Sequence, residues 1–203
     1  MHLGTLIAGE GAGSTITKVL LMPALLLAVL WALRLRLGDL LVFAVLGILF
    51  SWAGDALLES PGDIGFLLGL GGFMLAHLAY LVLFLRPLRE RRIPWYAATY
   101  ALWWVVLVLF LAPHIGPLLV PVAAYGLVLA ASSAAALGTN RFSAIGALVF
   151  LLSDTILAFK LFLPGWDFYP VDVIIMTLYI GGQGLIAYGV ATRGYRFPSP
   201  PLQ

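Results

Sequence analysis

Two aspartates lie within matched apolar stretches of this chain. Asp55 lies in residues 47–58 and Asp154 in residues 146–157, and each comes eight residues after a glycine and three before a leucine. A carboxyl group in lipid hydrocarbon is costly, so a matched pair predicts a functional site. If one carboxyl group is protonated and the other ionised, the pair can donate a proton and stabilise a positive charge, as general acid–base catalysis requires.

Other polar side chains are predicted at a similar depth. Asp55 shares a helix face with Ser51, four residues earlier. The candidates for orienting substrate or water are Lys18, His77, Tyr179 and Gln183, with Ser51, Tyr80 and Ser153 as lesser candidates. Glycines beside these positions indicate faces that meet at the centre of a bundle. Other interpretations stay open: Lys18 as an interfacial anchor, His77 as a structural core residue, and the aspartates as a structural network with Lys18.

The composition places the chain in a membrane. It is 63% hydrophobic and 10% charged, with a mean hydropathy of +1.07, which excludes a soluble domain of this size. Because a backbone in lipid must satisfy its own hydrogen bonds, the predicted fold is all-α. The chain has no cysteine and one histidine in a predicted span, so no metal or other cofactor is predicted. The predicted partner is the lipid bilayer and not nucleic acid.

Seven apolar segments are long enough to cross a bilayer, which needs about 20 residues each. They are predicted at residues 15–33, 40–58, 64–85, 94–112, 116–137, 142–163 and 171–191. The sequence therefore predicts a polytopic membrane helical bundle, with a single transmembrane domain over residues 15–192. A polar lead is predicted at residues 1–14, and a disordered tail at 193–203.

The connections between the predicted spans alternate in charge. Nine of the eleven Lys and Arg residues fall on one side, and cytoplasmic loops collect such residues. The amino terminus is therefore predicted outside and the carboxyl terminus inside, in the cytoplasmic (inner) membrane of a bacterium. Lys160 and Asp172 are predicted to lie at the interface and to extend towards water.

The order of the motifs suggests an internal repeat. Residues 19–23 resemble residues 117–121, the two aspartates are 99 residues apart, and the spacing of Phe73 and His77 recurs in the seventh span. This pattern predicts two parallel three-span halves joined by a connector span, with chance similarity between leucine-rich helices as the alternative. The halves are residues 15–85 and 116–191, and the connector span is 94–112.

The motifs that carry the polar residues resemble those of the YhhN/TMEM86 family, in the family's order and over nearly the whole chain. In this sequence they read Lys18-xxxx-Pro23, Phe50-Ser51-xx-Gly54-Asp55-xx-Leu58, Phe73-xxx-His77-xx-Tyr80, Gly146-Ala147-xx-Phe150-xx-Ser153-Asp154-xx-Leu157-Ala158 and Tyr179-xxx-Gln183-xx-Ile186-xx-Gly189. The family is usually drawn with eight spans, whereas seven are predicted here. Either a first helix is missing, or the eighth is not part of the core.

The resemblance implies a lysoplasmalogenase, an intramembrane hydrolase of lysophospholipids that carry a vinyl ether. Cleavage of that bond gives a fatty aldehyde and a glycerophospho-alcohol. The family's polar positions fall on Lys18, Asp55, His77, Asp154, Tyr179 and Gln183. We expect Asp154, the deeper aspartate, to be the general acid and Asp55 to stay ionised, although the two roles can be exchanged. Lys18 is a candidate for binding the phosphate.

Two other classes of function fit the sequence. A small-molecule or proton-coupled transporter with a 3+1+3 repeat would place polar residues between its halves, but the chain lacks the proline–glutamine pair of small sugar carriers. A structural or chaperone-like membrane protein would tolerate alanine at both aspartates. The sequence does not predict the oligomeric state.

Overall fold

In a computed structural model, the described part of the chain is almost entirely helical. The backbone is described for residues 11–33, 38–58, 60 and 62–196, and the side chains for 22–33, 38–58, 60 and 62–193. Seven α-helices lie within these ranges: α1 Gly11–Ala32, α2 Asp39–Leu58, α3 Gly62–Leu85, α4 Ala98–Ile115, α5 Leu119–Ala136, α6 Arg141–Phe162 and α7 Val171–Arg196. Short 3-10 turns at Trp95–Ala97 and Gly116–Leu118 precede α4 and α5, and these ranges contain no strand.

Five helical segments of the described chain are long and apolar enough to cross a membrane. They are Asp39–Leu58, Gly62–Leu85, Trp95–Ala136, Arg141–Phe162 and Val171–Arg193. The part of α1 whose side chains are described, Met22–Ala32, is apolar but shorter. The described part of the protein is therefore all-helical with several membrane-capable helices, and a count of seven spans stays a proposal.

The segment Trp95–Ala136 folds back on itself at Gly116. A single helix of its 42 residues would be about 63 Å long, twice the thickness of bilayer hydrocarbon. Gly116 has a φ of +61°, a conformation that favours glycine, and Pro117 follows it at the start of the next turn. Trp104 Nε1 donates a hydrogen bond to the carbonyl of Ala123 at 2.8 Å, so α4 and α5 lie side by side.

Six helices form a ring, and the seventh lies outside it. α2 packs most extensively against α3, and α6 against α7. α5 contacts both α3 and α6, while α1 contacts both α2 and α7, which closes the ring. α4 packs against α5 and α6 from the outside. This is the arrangement expected if α4 connects two three-helix halves, so we retain the 3+1+3 repeat as a proposal.

Glycines let the paired helices approach closely. A Cβ atom added at Gly182 of α7 would lie 2.9 Å from the backbone oxygen of Gly146 in α6. A Cβ atom at Gly72 of α3 would lie 2.9 Å from Cα of Gly54 in α2. At both contacts the neighbour is backbone, which cannot move aside as a flexible side chain can. Small residues at these crossings therefore set the helix spacing.

Gly182→Ala is expected to lower the unfolding temperature of the detergent-purified protein by several degrees. The added methyl group forces α6 and α7 apart, and such overpacking costs about 1–3 kcal/mol. Gly181→Ala is the matched control, because a Cβ there meets no atom within 4 Å. Alanine at that position should be neutral, or stabilising by about 0.5–1 kcal/mol. Equal unfolding temperatures for the two variants would contradict this packing.

The arginines of the connections gather at one end of the bundle. Arg91 Nε donates to the carbonyl of Leu137 at 3.0 Å, and Arg193 Nη1 lies 3.5 Å from Glu90 Oε1. The α3–α4 connection, the α5–α6 connection and the last turns of α7 therefore meet, at what we call the arginine end. The same end carries Arg86, Arg89, Arg92 and Arg141. We propose that the arginine end faces the cytoplasm, as loops rich in Lys and Arg do.

The helix boundaries differ from those predicted at both ends of the chain. α1 begins at Gly11, whereas the first span was expected to start at residue 15. Residues 193–196 are helical and do not belong to a disordered tail, because the first proline that would break α7 is Pro198. The rest of the predicted lead and tail, residues 1–10 and 197–203, lies outside the described residues.

Candidate active site

A cavity of about 350 Å³ opens between α3, α5 and α6, towards the end of the bundle opposite the arginine end. Among the described residues that line it, three are polar, Tyr125, Asp154 and Lys160, and the others are apolar. Apolar pockets with a few convergent polar groups are typical of binding sites for small organic molecules. The described residues that line a larger groove of about 510 Å³ between α4 and α6 include two threonines but no ionisable side chain, so they offer no group for acid–base chemistry.

Asp154 lies on the wall of this cavity. It is on α6 and is partly exposed, whereas Phe150 and Leu151, one turn earlier, are buried. The Tyr125 hydroxyl on α5 donates a hydrogen bond to Asp154 Oδ2. That bond fixes the orientation of the carboxyl group and leaves Oδ1 as the oxygen that can carry a proton.

Asp55 is more buried than Asp154 and lies behind the cavity. Burial thus gives the opposite order to the one expected from the sequence, in which Asp154 was the deeper aspartate. The Asp55 side chain on α2 is 5% exposed, and the Tyr179 hydroxyl on α7 donates to Asp55 Oδ2 at 2.7 Å. The two aspartates belong to one cluster, because the ring of Tyr179, which donates to Asp55, lies 5.2 Å from that of Phe150, one turn before Asp154 on α6. The structure therefore brings together the two aspartates that the sequence places 99 residues apart.

Gln183, Tyr80 and Ser51 form a buried chain of hydrogen bonds across three helices. The Tyr80 hydroxyl donates to Gln183 Oε1 at 2.6 Å, and Gln183 Nε2 donates to Ser51 Oγ at 2.9 Å. Each of the three side chains is at most 1% exposed. This chain of bonds connects α2, α3 and α7 one turn from the Tyr179–Asp55 bond, so it holds the helices that carry Asp55 and Tyr179.

His77 lies in the same layer, with one ring nitrogen bonded and the other unpartnered. Ser132 Oγ lies 3.0 Å from both His77 Nδ1 and the carbonyl oxygen of Leu129. Where the hydroxyl donates to that carbonyl, Nδ1–H is the donor to Ser132. In a neutral imidazole this leaves a lone pair on Nε2, which is buried and has no partner in the described part of the protein. The ring lies 4.6 Å from Phe150 and 5.9 Å from Tyr125, measured between centroids.

One of the predicted site residues, Ser153, is not part of this group. Ser153 Oγ donates to the carbonyl of Ile175 at 2.9 Å, so it contributes a contact between α6 and α7. Lys18 belongs to α1, but its side chain lies outside the described residues. Among the residues that are described, no three His, Asp or Glu side chains are grouped so as to hold a metal ion.

The sequence analysis missed Tyr125 and Ser132, which contact Asp154 and His77. Both are on α5, a helix otherwise made of small and apolar residues, and they are seven residues apart. Two turns of helix place such residues on one face. A tyrosine far from the ends of an apolar helix also needs a partner for its hydroxyl. The spacing of these two hydroxyls was therefore the available signal.

Comparison with known proteins assigns the chain to a family. The profile of the YhhN family matches residues 13–190. The chain belongs to the YhhN family. The resemblance inferred from the motifs is thereby confirmed.

One relative of this YhhN-family chain is the human protein lysoplasmalogenase TMEM86B, which is 33% identical over 152 residues. The alignment covers 67% of this chain and 58% of the human protein, so the chain spans somewhat more than half of its relative. No solved structure matches the chain.

Proposed function

We propose that this YhhN-family protein is an intramembrane hydrolase that cleaves the vinyl ether bond of lysoplasmalogens. The observation that carries the proposal is the placement of Asp154 on the wall of an apolar cavity, with Asp55 buried behind it beside Tyr179, whose ring packs on Phe150. The name of the human relative supports the choice of substrate. The apolar lining suits the single hydrocarbon chain of a lysolipid.

The first chemical step would be proton transfer from Asp154 to the outer carbon of the vinyl ether. The electrons of the double bond form the new C–H bond, and the adjacent carbon and ether oxygen then share a positive charge as an oxocarbenium ion. Asp154 is the better candidate for the acid, because it lines the cavity and a general acid must reach the atom that it protonates. Tyr125 would hold its carboxyl group in the orientation required.

Asp55 would stabilise the positive charge of this ion. A fixed negative charge near a developing cation lowers the barrier most in a site that excludes water. Tyr179 donates to one oxygen of Asp55, so the carboxylate is already oriented before substrate binds. The two aspartates then have different roles, as the two carboxyl groups of glycosidases do.

Water would complete the reaction at the carbon next to the ether oxygen. The oxygen of water bonds to that carbon, and one water proton returns to the Asp154 carboxylate. The resulting hemiacetal breaks its C–O bond to glycerol, while its hydroxyl proton transfers to the glycerol oxygen. The products are a fatty aldehyde and a glycerophospho-alcohol, and one water is consumed. We propose that His77 Nε2 accepts a hydrogen bond from the attacking water, because it is a buried acceptor beside Tyr125.

The proposed scheme uses no cofactor, since the proton added to carbon and the proton lost by water both pass through Asp154. We propose that it spans the cytoplasmic membrane of a bacterium, with the arginine end inside. The cavity would then open towards the outer face. The substrate would enter with its hydrocarbon chain among the apolar residues of α3 and α6.

Purified protein incubated with a panel of lysolipids tests the proposal. We expect a fatty aldehyde from the 1-alkenyl lysolipid, and no product from the 1-alkyl ether, which has no double bond to protonate. The 1-acyl ester should also remain unhydrolysed, because acyl transfer needs an activated nucleophile. Mass spectrometry of released aldehyde and residual lipid gives the result. An intact alkenyl lipid, with lipid transport in proteoliposomes, would instead support a transporter.

A further inference from the structure

The mouth of the cavity carries a cation that the proposed chemistry does not use. Lys160 lines the same cavity as Asp154 and lies six residues further along α6, which is a rise of about 9 Å. It therefore lies nearer the end of the bundle than the proposed acid. In a glycerophospholipid, the glycerol unit separates the ether at carbon 1 from the phosphate by a comparable length. With a vinyl ether at Asp154, the phosphate would reach Lys160.

Two carboxylates flank this lysine. Lys160 Nζ lies 2.7 Å from each carboxylate oxygen of Asp172 and 3.5 Å from Asp167 Oδ1. The carboxylates are accessible, with the side chains of Asp167 and Asp172 77% and 54% exposed. The Lys160 side chain itself is 22% exposed, but water reaches both carboxylates, so the ion pairs are weak enough for their members to exchange partners with a charged ligand.

The same two aspartates line a second hollow. Its volume is about 220 Å³, and it is formed by the connection between α6 and α7 and the first turn of α7. Lys160 belongs to the lining of the apolar cavity, whereas Asp167 and Asp172 belong to the lining of this hollow. The Lys160–Asp172 ion pair thus lies between the two spaces. Lys160 thus puts a positive charge beside the cavity, and Asp167 and Asp172 put negative charges beside the neighbouring hollow. This order of charges is complementary to a phosphate followed by an ammonium group.

We propose that this mouth is a binding site for a zwitterionic phospholipid head group. Lys160 would bind the phosphate, and Asp167 and Asp172 would bind the ammonium group of an ethanolamine-type head group. The assignment of the ligand as a lysolipid rests on the proposed function. The head-group site would favour lipids that carry both charges over lipids with a bare phosphate or with no phosphate.

Binding of unreactive lipids tests this site without any hydrolysis. The probes are three saturated ethers with the same chain: 1-alkyl-glycerophosphoethanolamine, 1-alkyl-glycerophosphate and 1-alkylglycerol. Dissociation constants are measured on the detergent-purified full chain by native mass spectrometry. Because saturated ethers cannot be hydrolysed, the result stands apart from the outcome of the activity panel. A chain that binds these lipids as expected but releases no aldehyde would refute the proposed function alone.

The expected results differ between probes. Lys160→Met should weaken both phosphate-containing lipids about tenfold and leave 1-alkylglycerol unchanged. Asp167→Asn combined with Asp172→Asn should weaken the ethanolamine lipid about tenfold and strengthen the bare phosphate, whose repulsion is removed. Asp63→Asn, an exposed aspartate at the same end of the bundle, is the matched control and should leave all three constants unchanged.

A structural role for the ion pair predicts a different pattern. If Lys160 only joins α6 to α7, Lys160→Met should lower the unfolding temperature and weaken all three lipids by the same factor. That pattern would overturn the proposal. Equal affinities of the wild-type protein for the three lipids, or failure of the aspartate double variant to distinguish ethanolamine from bare phosphate, would overturn it as well.

Discussion

Asp154→Asn is expected to lower kcat/KM for an alkenyl lysolipid by about 10³-fold, within the range that general acid catalysis contributes. Asparagine has nearly the same shape, and its amide oxygen can still accept the hydrogen bond from Tyr125. The cavity wall is therefore preserved, while the proton that attacks the vinyl ether is lost. The measurement is aldehyde release by the purified variant at several substrate concentrations.

Asp39→Asn provides the matched control for this substitution. Asp39 is exposed in the first turn of α2, close to the arginine end and remote from the cavity. Its replacement removes the same charge and should leave turnover unchanged. Both variants should unfold within a few degrees of the wild type. An Asp154→Asn protein that retains a third or more of wild-type turnover would exclude Asp154 as the acid.

The second large effect is expected for Asp55→Asn, with kcat lowered by about 10²-fold. The amide can still accept from Tyr179, so the substitution removes a charge and keeps the local geometry. KM should change little, because Asp55 is buried behind the cavity and is not part of its lining. The split between kcat and KM is measured from initial rates of aldehyde release.

The double variant distinguishes a shared step from two independent ones. Groups that act on the same transition state show strongly non-additive losses. We therefore expect Asp55→Asn in an Asp154→Asn background to lower the residual rate by much less than it does in the wild type. Losses that simply multiply would show that the two aspartates do not act together, and a wild-type kcat for Asp55→Asn would remove Asp55 from the mechanism.

The sequence was sufficient to predict the helices and to single out the two aspartates. Both a run of apolar residues and a carboxyl group within it can be recognised locally in the sequence. Runs of about 20 apolar residues predict helices in lipid, whatever their neighbours are. A carboxyl group inside such a run is costly enough to be noticed without a structure. Asp55 and Asp154 were therefore singled out as a pair, and the structure places both beside Phe150, while their roles stay a proposal.

The contacts between helices were less predictable, because they depend on which faces meet. Tyr125 donates to Asp154 from another helix. In the sequence, the available signal for this residue was its seven-residue spacing from Ser132. Ser153 precedes Asp154 by one residue, but the rotation of about 100° per helical residue points it at α7 instead of the cavity. The extent of α7 was also missed, since the apolar pattern weakens before the helix ends at Arg196.

Hydrolysis in D2O tests the central claim most directly. Purified protein is incubated with an alkenyl lysolipid in D2O, and the aldehyde is reduced to the alcohol as it forms, which prevents later exchange. If an acid protonates the vinyl ether carbon, the alcohol carries one deuterium at carbon 2, and Asp154→Asn lowers its rate of formation about 10³-fold. Alcohol without deuterium at carbon 2, or an alkenyl lipid left intact by the wild-type protein, would contradict the account.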